Sequence, residues 1–114
     1  MKVDKNFCDL VARCIINPNS DIFERYSATT FLRDYRDESG SQEPAELALG
    51  KILRSKKETS SLLRHEIAFM LGNLLPLSEN KDVTQILLDS CLDEDEAEIV
   101  RHEAIIAYSA CSAD

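Results

Sequence analysis

The chain has 114 residues, with 21 acidic side chains against 13 basic ones and a formal net charge of −8. That length fits one domain, a hydrophobic fraction of 44% can fill a core, and three glycines and three prolines are too few for a turn-rich β fold, so composition points to helices. The negative charge excludes a phosphate-binding surface and a patch facing an anionic membrane; it suits a basic or cationic partner and also serves solubility.

The opening MKVDKNF holds no apolar run that would serve as a signal peptide. Phe7, Leu10, Val11, Cys14 and Ile15 then recur at helical spacing, and Asn17-Pro18-Asn19-Ser20 supplies a turn before a second helix around Glu24-Arg25-Tyr26-Ser27-Ala28. The stretch from Arg36 to Glu43 is polar and contains Gly40 and Ser41, after which Pro44 suits the first turn of a third helix with Leu49, Ile52 and Leu53 on one face. A fourth helix carries Leu63-Arg64-His65-Glu66-Ile67-Ala68. Ser78-Glu79-Asn80 separates it from a fifth, marked by Leu88, Cys91 and Leu92. Asp93-Glu94-Asp95-Glu96 stands where carboxylates favour a helix start, and a sixth helix follows with Val100-Arg101-His102-Glu103-Ala104-Ile105.

The fourth and sixth helices align without a gap at an offset of 37 residues, and Arg25 falls in register with Arg64 at an offset of 39. Two helices per period of this length give an all-α fold, an α-α superhelix of HEAT-like repeats with about three helical hairpins. One domain over 1–114 is expected, with units at approximately 1–38, 43–76 and 80–114. The last helix, with Ile99, Val100, Ile105, Ile106 and Tyr108, runs to Cys111-Ser112-Ala113-Asp114 without a capping repeat. Its uncovered apolar side predicts a partner: a second copy, another chain or downstream sequence. Cys8, Cys14, Cys91 and Cys111 show no C-x-x-C spacing, so packing thiols in a reduced, intracellular protein are expected, and no stretch approaches the ~18 apolar residues of a membrane span.

His65 and His102 are the chain's only histidines, and each lies between an Arg and a Glu at the same repeat position. Equivalent positions on neighbouring second helices share a face, and packed helices lie about 8 to 10 Å apart, so the two imidazoles are expected to converge on one point. Two imidazoles and a carboxylate form the donor set of a non-haem iron centre, and zinc also accepts it. H-E-x-x-H is absent, because Phe69 occupies the place of its second histidine, and no cysteine falls at an equivalent position. Zinc-protease and thiolate sites are therefore excluded. A blander alternative makes both histidines polar residues near helix starts, paired with Glu66, Glu103 or backbone. Arg64 and Arg101 either orient the carboxylates or pair at the surface. Glycine-rich phosphate loops and a Ser-His-Asp arrangement are missing, which excludes nucleotide and hydrolase chemistry.

The stretch from Leu63 to Leu74 runs Leu-Arg-His-Glu-Ile-Ala-Phe-Met-Leu-Gly-Asn-Leu. It recurs more loosely from Val100 to Ala104, with Tyr108 and Ser109 in place of Leu71 and Gly72, and a leading unit with Ala28, Phe31, Leu32 and Arg33 lacks the His-Glu pair. In these motifs the chain resembles the deoxyhypusine hydroxylase family. The resemblance implies a cytoplasmic, iron- and O2-dependent deoxyhypusine monooxygenase of hypusine biosynthesis. Its protein substrate would be translation initiation factor 5A in the deoxyhypusine form, with no nucleic acid and no membrane involved. By motif, His65, Glu66 and His102 would be iron ligands, and Glu103 either a ligand or the catalytic acceptor for the cationic substrate amine. The family places two Fe(2+) ions per complete site among four His-Glu pairs on two similar halves, whereas this chain has two pairs. One iron per chain in a homodimer, or a partner half, is then expected. The alternative function is a non-catalytic HEAT-repeat adaptor that binds a protein partner through its concave face.

Overall fold

The computed structural model describes residues 2–56, 60–78 and 80–112, and every regular element among them is a helix. Met1, Lys57, Glu58, Thr59, Glu79, Ala113 and Asp114, which the expected units and connections include, lie outside the described residues. In chain order the helices are α1 (Lys2–Ile16), α2 (Ile22–Asp34), α3 (Glu43–Ser55), α4 (Ser61–Ser78), α5 (Lys81–Leu92) and α6 (Glu98–Ser112).

Local chemistry sets where these helices begin and end. Asp21 caps α2: its carboxylate accepts the Glu24 N–H at 2.8 Å, and its own N–H donates to the Glu24 side chain at 3.1 Å, a reciprocal capping box. Pro44 lies in the first turn of α3, where its missing N–H costs nothing. That helix ends at Lys56, whose left-handed backbone (φ 56°) lets its N–H reach the Ile52 carbonyl. Asn80 caps α5 by accepting the N–H groups of Asp82 and Val83 at 3.1 and 3.2 Å. Between α2 and α3 the Asp37 carboxylate gathers the Ser39 and Ser41 N–H groups, with Gly40 at φ +84° completing the turn.

The acidic run before α6 departs from the expected helix-start role. Asp93 terminates α5 and its carboxylate accepts the Asp95 N–H at 2.9 Å, while Glu96 turns back toward the preceding repeat. Of the acidic residues near this end, Glu98 is the one in the first turn of α6.

The helices pair as three hairpins, α1 with α2, α3 with α4 and α5 with α6. First helices stack on first helices and second on second, the HEAT-like arrangement, with α4 against α6 the most extensive contact. The thin dimension of 18 Å matches two helix layers packed at roughly 8 to 10 Å. Ala28, Ile67 and Ala104 occupy the same repeat position and are buried in all three units, as are Leu49, Leu53, Leu71 and Leu87 in the seam. The helices α4 and α6 come close together at Gly72, where a Cβ would stand 2.8 Å from the Ala107 Cβ and 3.0 Å from its Cα. The four cysteines are free thiols, and no helix among the described residues is long and apolar enough to cross a membrane.

Candidate functional site

His65 lies in the second turn of α4 and Glu103 in the second turn of α6. Stacking the two helices brings the His65 Nε2 to 2.9 Å from a Glu103 carboxylate oxygen. The sequence led to the expectation that His65 converges with His102, with pairing to Glu103 as one alternative; the contact formed is the one with Glu103, and helix geometry explains why. Successive residues rotate by about 100° around an α-helix, so neighbours in sequence look toward opposite neighbours in a stack. The first residue of each pair faces the following unit, and the second faces the preceding one.

The same relation recurs one unit earlier. Tyr26 holds the position of His65 in α2; burial raises its phenol pKa above the ordinary value, and the Glu66 carboxylate raises it further. Glu66 thus lies on the α2 side of α4, where its charge acts on both Tyr26 and Arg33. His102 is exposed instead and lines an open recess of about 390 Å³ with Cys91, Leu92, Glu98, Arg101 and Ile105, on the side of α6 that a further unit would cover.

The repeat arginines are held by other groups. Arg25 donates to the Asn17 carbonyl, through Nε at 3.1 Å and Nη2 at 2.8 Å, and Arg101 donates through Nε to the Cys91 carbonyl at 3.1 Å. In both units the guanidinium ties the second helix to the end of the first. Arg64 instead bridges units, donating from Nη2 and Nε to the two carboxylate oxygens of Glu96 at 2.7 and 3.2 Å. The Glu96 side chain is 1% exposed and that of Arg64 11%. Burial pushes the Glu96 carboxyl up, but the Arg64 hydrogen bonds and the Ala97 N–H outweigh it and leave the pKa below the ordinary glutamate value. Glu96 is the residue that sequence reasoning missed. Its signal was a carboxylate beside the polar-to-apolar switch at Ala97, which the surrounding acidic run concealed.

An ion of the first-row transition series fits part of this arrangement. With its proton on Nε2 and donated to Glu103, neutral His65 keeps an Nδ1 lone pair that is buried without a hydrogen-bond partner. Were Nε2 unprotonated instead, its 2.9 Å separation from the Glu103 oxygen would match two donors about 2.1 Å from one ion at right angles, roughly 3 Å apart, so this contact serves either as a hydrogen bond or as a pair of adjacent ligands, not as both. Imidazole with carboxylate is also a donor set that iron accepts. Among the described residues, however, no group of three or more His, Cys, Asp and Glu side chains is arranged to hold an ion. The four residues predicted from sequence are divided between His65–Glu103, which meet, Glu66, which lies on the α2 side of α4, and His102, which is exposed on the other side of α6.

A helical-repeat protein that sets a histidine against a carboxylate between successive second helices is the class defined by this fold and site. The deoxyhypusine hydroxylase of Gibberella zeae is 38% identical over 96 residues, which cover 82% of this chain and 26% of that protein. That of Drosophila melanogaster is 32% identical over 111 residues, 97% of this chain and 32% of its own length. That of Dictyostelium discoideum is 42% identical over 74 residues, 65% of this chain and 21% of that protein. The chain belongs to the deoxyhypusine hydroxylase family and spans about a third or less of the length of these relatives. No family model matches the chain, and no solved structure matches it significantly.

Proposed function

We propose that this chain supplies part of a deoxyhypusine hydroxylase site, with His65, Glu66, His102 and Glu103 as its iron-facing residues and with a second copy or a partner half completing the set. The single observation that carries this is the 2.9 Å contact of His65 Nε2 with Glu103, made between repeats in a chain with such relatives. Bound ferrous ions would supply the two electrons with which O2 hydroxylates a C–H bond of the deoxyhypusine side chain on translation initiation factor 5A, the second oxygen atom leaving as water. The residues of the chain do the rest. Glu103 accepts the His65 N–H and so fixes the ring's tautomer and direction, and Glu66 and Glu103 place negative charge where a cationic side chain would arrive.

The test is metal content together with mass. Protein purified under gentle conditions should retain iron or take up ferrous ion, and Glu103→Gln and His65→Ala should each weaken that uptake by tenfold or more, in the range that follows loss of a ligand or its orienting partner. Wild-type protein that holds no iron and gains no affinity for ferrous ion ends this proposal. The absence of a three-donor group among the described residues favours the adaptor as second reading. Replacing both histidines by alanine separates the two, since an adaptor keeps its stability and its partner while a metal protein loses metal.

A further inference from the structure

Equivalent positions in the three units, at the offsets of 39 and 37 residues, show which surfaces a neighbouring unit covers. Ala107 lies against Gly72 of the preceding unit, and Met70 holds the same position one unit earlier. Both are 2% exposed, whereas Phe31, their counterpart in the first unit, is 47% exposed. The first helices repeat the pattern. Ile86 approaches Gly50 of the preceding unit; it and its equivalent Leu49 are 8% and 0% exposed, against 60% for Leu10. At the other end of the stack the sense reverses. Ala68 is one turn before Gly72, on the side of α4 that meets the following unit, and it is buried, as is its equivalent Thr29. Ile105, the third of that set, is 42% exposed. Phe23, Leu62 and Ile99 supply the contrast, since they share one repeat position and are exposed in every unit.

The bare positions are therefore the two sides of one junction left open, a front on α1 and α2 and a back on α5 and α6. The front holds a recess of about 580 Å³ with Phe7, Val11, Ser27 and Phe31 on its walls, and the back one of about 390 Å³ with Leu92, His102 and Ile105. The first internal junction carries Arg33 and Met70 at the positions of Gly72 and Ala107, so the stack accepts bulk there, as a junction of Ser109 with Phe31 requires. We infer that a second copy of this chain seats its front on the back of the first and continues the superhelix from chain to chain. The occupant is a second copy because each molecule carries both sides of a junction that it already forms twice internally. A front that matches a back makes a heterologous contact, which adds chains in series until a ring closes. In this register Ser27 of the second copy stands opposite His102, where Glu103 stands opposite His65. The stacking requires no metal and brings no carboxylate to His102, so it and the oxygenase reading can fail separately. The formal charge of −8 on each chain opposes the approach, and salt should therefore strengthen it.

The experiment is sedimentation velocity on the full chain, free of metal and with its thiols kept reduced, from about 10 μM to about 1 mM. The mean mass should climb with concentration past that of two chains, and further at high salt than at low. Leu10→Asp places a carboxylate on the front and Ile105→Asp one on the back, and each variant alone should associate at least tenfold more weakly than wild type. Mixed in equal amounts, the two should form pairs and go no further, because each retains the face that the other has lost. Leu62→Asp, at the position exposed in every unit, should associate as wild type does. Should either face variant melt earlier than wild type, Leu10→Ser and Ile105→Ser take their places. The inference is overturned if wild type stays a single chain at the highest concentration, levels at two chains, or associates more strongly at low salt. It is equally overturned if one face variant still pairs with itself, which marks an isologous contact, if the mixture forms no pairs, or if Leu62→Asp blocks association as well.

Discussion

Replacing Gly72 by alanine tests the α4–α6 contact on which the site rests. Non-bonded carbons prefer separations of about 3.5 to 4.0 Å, so a methyl 2.8 Å from the Ala107 Cβ is roughly 1 Å too close. The Ala107 Cα, at 3.0 Å, is backbone, and no rotamer change relieves that approach. The helices must part. Overpacking of this kind costs about 1 to 3 kcal/mol, against which alanine returns roughly 1 kcal/mol of helix propensity. The expected result is a net loss near 1 kcal/mol, seen as a melting temperature lower by about 4 °C. Gly72 lies about 10 Å along the axis from His65 at 1.5 Å rise per residue, so the same wedge loosens the 2.9 Å contact with Glu103 and weakens ferrous ion uptake. Adding Ala107→Gly makes room for the new methyl and should restore uptake, although two helical substitutions leave stability near that of the single variant. Thermal melting and ferrous titration of the three proteins check this. A Gly72→Ala protein that is more stable by the propensity gain, with unchanged metal uptake, would refute the close approach.

Glu96→Gln should cost about 3 kcal/mol by replacing the buried carboxylate that meets the Arg64 guanidinium with a neutral amide, measurable by urea unfolding. Because the folded Glu96 pKa is depressed, its contribution is complete above the ordinary value of 4.5 and is lost as pH falls below that through the folded value; wild type should therefore lose stability on acidification more steeply than Glu96→Gln. Glu66→Gln should lower the Tyr26 titration midpoint in an ultraviolet difference titration while leaving it above the ordinary tyrosine value, since burial is the larger cause; an unmoved midpoint means that the two residues do not face each other. Asp21→Ala should destabilise the chain by about 1 kcal/mol through loss of the α2 cap, with Asp21→Asn recovering most of it.

Most of the architecture was legible because the features that specify it are local. Periodic Leu and Ile, the Asn17–Ser20 turn and Pro44 each act within one or two turns of chain, and six helices form around the segments they mark, although α4 runs on through Ser78 of the expected connection; the Asp21 and Asn80 caps are local signals of the same kind that the sequence reading did not use. The relations between units were less legible. Register showed that His65 and His102 are equivalent, but equivalence in a stack means that each looks the same way along the axis, so the two need not meet. Pairing His65 with Glu103 depends on the 100° step between consecutive residues together with the direction in which the hairpins stack, and the second quantity is tertiary. The repeat arginines were misleading for a related reason. Arg25 and Arg101 find carbonyls eight and ten residues upstream, at helix ends whose positions become defined only once the hairpin closes.

The offset between facing residues has a consequence for how such a protein can grow or be divided. Each His–carboxylate contact takes one member from each of two adjoining modules, so a single module contains none, and duplicating a module creates one contact more at every new junction. A cut anywhere between Glu66 and His102 leaves the histidine on one polypeptide and its carboxylate on the other. The contact can then form only between chains, and its strength becomes a function of protein concentration.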